Sequence, residues 1–185
     1  MKNRVLRRLA FAAACALGTA WLAAPSVSGA TVSRPIQNSA ARDITAIKTG
    51  LNTIAKLERD GVKSILAANA TTQRILQRAK TNGLSDSAII ALGDQIKRTI
   101  SGKRLTAQTK LNAFVNALIP RIDRVERNAA LVTSGYVAYI RQQFGTSDTL
   151  VGLLNTRFSQ AVTALLLAET QALADVDAAL DLVLP

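Results

Sequence analysis

The chain has 185 residues, 49% hydrophobic and 19% charged, with 23 Lys and Arg against 12 Asp and Glu, which is enough apolar material for one core and gives a formal charge of +11. It holds no His, one Cys and 4% aromatic residues. That composition excludes His-based acid/base catalysis and Cys/His metal sites, and it leaves thiol chemistry to Cys15 alone.

Residues 1–30 read as a secretory signal peptide. Lys2, Arg4, Arg7 and Arg8 precede an uncharged apolar run from Leu9 to Ala24, Pro25 breaks the run, and Ser28 and Ala30 supply the small-x-small pattern for cleavage. The apolar run is shorter than the roughly 20 residues of a bilayer span. Arg7-Arg8 keeps twin-arginine export open beside the general route. Cleavage after Ala30 takes Cys15, Trp21 and four cations away, so the exported chain, periplasmic or extracellular, starts at Thr31 with a charge of +7 and no Cys. A domain without disulfides is held by its core alone.

Residues 31–37, with Pro35 and no periodicity, are expected to be a flexible leader, and residues 38–185 a single helical domain. Ile44, Ile47, Leu51 and Ile54 recur at spacings of three and four, and Val62, Ile65, Leu76 and Ala79 continue the same face. This predicts one helix from Asn38 to about Thr81, weakest at Asp60-Gly61 and closed by Asn82-Gly83. A hinge at Gly61 would make Gly61→Ala stabilising by roughly 0.5–1 kcal/mol at the expense of activity.

Ser85-Asp86-Ser87 is an N-cap cluster for a short helix carrying Ile89, Leu92, Ile96 and Ile100 and ending at Ser101-Gly102. Next, Leu111, Val115, Leu118, Ile122, Val125, Ala129, Val132, Tyr136 and Tyr139 alternate spacings of four and three, a heptad seam about 55 Å long at 1.5 Å per residue. Pro120 lies off the seam and is expected to kink the helix without stopping it. Gly145 should close that helix and Asp148 cap the last one, in which Val151, Leu154, Phe158, Ala161, Leu165, Ala168 and Ala172 face one way. The fold class is therefore all-α: an elongated antiparallel bundle of three long helices and one short helix, with coiled-coil-like heptad seams.

On a 100° wheel Lys48, Lys56, Arg59, Lys63, Arg74 and Arg78 share one side of the first helix, a basic stripe about 45 Å long. Residues 31–110 hold 14 basic and 5 acidic side chains, and residues 111–185 hold 5 and 7. The stripe suits an anionic lipid surface, an anionic polymer or an acidic protein, although a charge run of this kind is often only a solvated face. Nucleic acid is a poor fit, because no aromatic residues interleave with the cations to stack bases.

Glu58 falls on the apolar face, and a partner such as Arg124 or Arg127 is expected for it. Asp175, Asp177 and Asp181 fail the calcium-loop spacing. In an up-down bundle they should lie near Lys97, Arg98, Lys103 and Arg104.

No Ser/His/Asp set, phosphate loop or di-iron Glu-x-x-His pair is present, so no catalytic, metal or cofactor site is expected. The sequence points to an exported, non-catalytic bundle acting as a binding, scaffolding or chaperone-like module, with self-association into a homo-oligomer open. The alternative is a membrane-active amphipathic bundle that opens onto anionic lipid surfaces or forms pores.

Overall fold

The computed structural model describes residues 33–132 and 134–184, with the side chains of 128–132 and 134 left out. The expected signal peptide lies outside the described residues. Within them the chain forms five helices and no strand: α1 Arg34–Asn69, α2 Thr72–Thr81, α3 Asp86–Val132, α4 Ser134–Gln143 and α5 Leu150–Asp181. The three long helices α1, α3 and α5 pack against one another, so the all-α bundle is the observed fold.

The buried side chains reveal a period that differs from the expected heptad. Ile89, Ile100, Leu111 and Ile122 are fully or nearly fully buried at intervals of eleven. So are Ile54, Ile65 and Leu76, and likewise Leu154, Leu165 and Val176. Eleven residues in three turns make about 3.67 per turn, close to the helix's own 3.6, whereas a strict heptad drifts about 20° per repeat on a straight helix. The drift shows along the expected seam of α3. Leu111, Val115 and Ile122 are buried while Leu118 and Val125 are only half-buried, and beyond Thr133 it is Ile140, not Tyr136 or Tyr139, that reaches the core. Over these stretches the core face follows an eleven-residue interval, while Ala40, Ile47 and Ile54 are buried at intervals of seven.

Two compact units are distinguished: residues up to Ala55 with Leu118–Asn155, and Lys56–Ala117 with the chain from Thr156 onward. In the first unit α1 approaches α3 where Gly50 faces Leu118. Glu126 organises the rest. Its carboxylate accepts the Arg141 guanidinium at 2.7 Å and the Leu150 N–H at 2.8 Å, so one α3 side chain holds α4 and satisfies an orphan donor at the start of α5. The Tyr136 hydroxyl donates to Asp43 at 2.6 Å, tying α4 to α1; burial first, and then the Asp43 hydrogen bond and charge, push its pKa up to about 12.

In the second unit, α5 runs antiparallel to α3. Lys97 pairs with Asp177 and Arg104 with Glu169, and Gly93 faces Leu180, so residue numbers rise on one helix as they fall on the other. Arg104 Nε donates to Glu169 at 2.9 Å and its Nη1 to Gln108 at 2.6 Å. The acids of α5 therefore do meet the cations of α3 through Lys97. Asp181 makes no ion pair among the described residues.

The caps explain where helices end. Gly83 at φ +78 and Gly145 at φ +62 occupy the left-handed conformation, and each closes a Schellman motif: Leu84 N–H donates to Ala79 O at 3.1 Å and Thr146 N–H to Arg141 O at 3.2 Å. Ser85 Oγ accepts the Ala88 N–H as the N-cap of α3. The cap of α5 is Thr149, not Asp148, since Thr149 Oγ1 accepts the Gly152 N–H at 2.9 Å.

Three boundaries differ from the sequence reading, and α3 runs through Pro120 as that reading expects. Helix α1 begins at Arg34, inside the expected leader, because Pro35 in a first turn lacks only a donor the helix does not use. Ser101-Gly102 does not stop a helix: α3 is continuous from Asp86 to Val132, the Ile100 and Leu111 burial on either side outweighing a propensity cost of about 1 kcal/mol. The first helix breaks at Ala70-Thr71 and not at Asp60-Gly61.

Gly61 is a packing residue and not a hinge. A Cβ there would stand 2.6 Å from Leu165 Cδ2 and 2.8 Å from the Ala107 Cβ, which is fixed to its own backbone. Gly61→Ala is therefore expected to destabilise the fold by about 1–3 kcal/mol through overpacking. Gly102→Ala, with nothing within 4 Å of the added carbon, should stabilise it by roughly 0.5–1 kcal/mol. Urea unfolding of the two variants checks both signs, and a stabilised Gly61→Ala would restore the hinge.

Candidate functional site

Helix α1 turns its Gly61 face to α3 and α5, and the residues on its far side are left to solvent. All six stripe residues are exposed, and among the described residues none of them makes an ion pair or side-chain hydrogen bond. Lys48 belongs to the first unit, and the other five to the second. Within the second unit, Lys56, Arg59 and Lys63 lie on α1, and Arg74 and Arg78 on α2, beyond the break at Ala70-Thr71.

Lys56, Arg59 and Lys63 fall within 60° of one another on a 100° wheel and span about 10 Å at 1.5 Å per residue. Asp60 is exposed among them and reduces the local charge. Helix α3 adds Arg98, Lys103 and Lys110, also exposed and without an ion-pair partner among the described residues. The sequence reading places Arg98 and Lys103 near the aspartates of α5 and does not read them, or Lys110, as part of a cationic face. The signal was present, because all three lie off the Ile89/Ile100/Leu111 face, but with a helix boundary placed at Ser101-Gly102 they fell into two elements and a loop.

Among the described ion pairs Glu58 has neither Arg124 nor Arg127, the partners expected for it. Arg157 stands against it instead, with Nη2 at 3.8 Å, the two side chains being 17% and 11% exposed, and Arg157 donates to Gln160 at 2.7 Å. Arg127 pairs within its own helix with Asp123. Burial raises the Glu58 pKa, and the charges of Arg157 and Arg59 pull it back only in part. The Lys97 pKa is raised, chiefly by its hydrogen bond to Asp177.

Polar groups also gather where α1 gives way to α2. Asp175 accepts Asn69 Nδ2 at 2.9 Å and Gln171 Nε2 at 3.0 Å, while Asn69 Oδ1 and the Thr72 hydroxyl are buried without a hydrogen-bond partner among the described residues. Close by in sequence, Gln77, Lys80, Thr81, Leu182 and Val183 line a shallow depression of about 340 Å³. Among the described residues no group of three or more His, Cys, Asp or Glu comes together. The arrangement offers exposed cations to an anion and, in Glu58, a half-buried carboxylate that faces a guanidinium.

Helix α5 is long and apolar enough to cross a membrane by length and composition, and 33% of its most apolar stretch is buried. No protein-family model matches the chain, and neither a curated protein nor a solved structure matches it.

The raised Glu58 pKa fixes the sign of a pH effect. A carboxyl that protonates more readily in the folded state contributes most below its ordinary value of 4.5, and that contribution is lost as pH rises through the raised folded value. Relative to Glu58→Gln, the native chain should therefore lose stability between pH 4.5 and neutrality. Urea titrations of both proteins across that window measure it. A native chain that gains on the variant with rising pH would mean that the Arg157 attraction outweighs desolvation.

Proposed function

We propose that the protein is an exported, non-catalytic helical-bundle module that binds an anionic partner through the cationic faces of α1, α2 and α3 in its second unit. The observation that carries this reading is the set of exposed cations, Lys56, Arg59 and Lys63 above all, that the fold leaves without intramolecular partners while it uses Lys97, Arg104 and Arg157 internally. Their support is an apolar face already buried against α3 and α5, so α1 is anchored and presents its charges without unfolding. Exposed cations spread along helix faces recognise spread negative charge and not a small enclosed ligand.

A second reading is favoured by α5 alone. Its composition would allow a bundle that opens to lay apolar helix faces on lipid, with the cations of α1 toward the headgroups.

Flotation with vesicles of phosphatidylcholine, with and without phosphatidylglycerol, separates the two. Surface binding through the cations should appear only with the anionic vesicles and at low salt. It should weaken steeply toward about 0.15 M salt, where charges beyond about 8 Å are screened. Combining Lys56→Glu with Lys63→Glu should reduce it by an order of magnitude or more. Binding that survives physiological salt supports the opened, lipid-inserted bundle, and binding that the charge reversals leave intact removes the cationic face from the account.

A further inference from the structure

From Thr156 to Ala174 every exposed residue of α5 is uncharged. The charges of that stretch are turned inward: Arg157 toward Glu58 on α1, and Glu169 toward Arg104 on α3. On this neutral face Leu166 and Leu167 stand 45% and 66% exposed. The antiparallel pairing of Lys97 with Asp177 and Arg104 with Glu169 brings Leu105 of α3, 58% exposed, level with the same stretch. A chain that carries exposed cations along α1, α2 and α3 thus keeps one long helix face free of charge, with a leucine cluster near its middle.

We infer that this face docks a second copy of the same chain, α5 against α5 in antiparallel order about a twofold axis near Leu166 and Leu167. Charge selects the occupant. In a twofold contact each surface meets itself, so any net charge on it is doubled, and for a basic chain only a neutral face escapes that repulsion.

Charge also selects the direction. The C-terminal part of α5 carries exposed Asp177 and Asp181. A parallel pair would set Asp177 against Asp177, whereas an antiparallel pair centred on the two leucines sets it against Thr156. The composition of the face fits a helix partner better than lipid. Ser159, Thr163 and Thr170 are small enough for close helix approach; Thr170 already donates to Leu166 O at 3.0 Å, but the Ser159 and Thr163 hydroxyls would be costly to bury in hydrocarbon.

The inference uses a different face from the cationic reading and stands or falls separately from it. The chain, expressed with its own N-terminal segment and purified as the host processes it, is examined by sedimentation equilibrium across the micromolar range. The native protein should be a dimer, and Leu167→Lys, at a position too exposed to disturb the core, should weaken dimerisation tenfold or more with unchanged helical circular dichroism. Lys56→Glu combined with Lys63→Glu should leave the dimer intact. A native protein that is monomeric throughout, or a dimer indifferent to Leu167→Lys, overturns the proposal. So does flotation with neutral vesicles that Leu167→Lys abolishes, since lipid would then be the occupant.

Discussion

Much of the second unit depends on how closely α1 can approach its neighbours at Gly61. Leu165 and Ala107 come so near that a single added carbon would overlap both, so α1 meets α3 and α5 at one point with no side chain of its own between them. The requirement recurs. Gly50, Gly61 and Thr72 are buried at intervals of eleven, and Ile54, Ile65 and Leu76 follow at the same interval. Small and large residues therefore alternate down one face, small where a neighbouring helix presses in and large where there is space to fill. Each fully buried Ile or Leu contributes about 1.5–3 kcal/mol, which is what permits helices containing Gly, Thr pairs and Pro120 to persist.

Polar groups set register within this frame. Lys97 with Asp177 and Arg104 with Glu169 define how α5 lies along α3 in the second unit. In the first, Glu126 receives both Arg141 and the first N–H of α5. The half-buried pairs are the costly ones. Glu58 and Arg157 approach only to 3.8 Å, and desolvation dominates the carboxylate. Spending internal cations on these pairs leaves a particular remainder outside: Lys56, Arg59 and Lys63 on α1, and Arg98, Lys103 and Lys110 on α3. The exposed face of α5 from Thr156 to Ala174 is left without charge. Both functional readings follow from this sorting of charge and not from any cleft.

Much of this was legible in the residues. Amphipathic spacing identified the helices, and Gly83, Gly145 and Ser85 marked ends that the backbone confirms through positive φ and capping hydrogen bonds. The stripe residues were correctly read as solvent-facing. Two kinds of error had physical causes. Spacings of four and three fit both a seven- and an eleven-residue repeat over short windows, and only the tally of buried positions over 30 residues or so separates them. Gly was read by its local propensity, as a weak point at Gly61 and a stop at Ser101-Gly102. Tertiary contact overrides propensity at both places, by demanding the missing side chain at Gly61 and by holding the helix on both sides of Gly102. The Glu58 partner was missed for a related reason, since the choice among arginines depends on inter-helix register, which no local spacing reveals.

The central claim is that long-range burial, and not local propensity, determines where these helices are continuous. Native-state hydrogen exchange resolved by residue tests it most directly. Slow exchange should run unbroken from Ile96 through Ser101-Gly102 to Leu111, and across Gly61, with fast exchange confined to the junction near Ala70-Thr71. Fast exchange at residues 101–105 with protection on either side would contradict it, and would show two helices joined by a flexible link where burial is held to keep one.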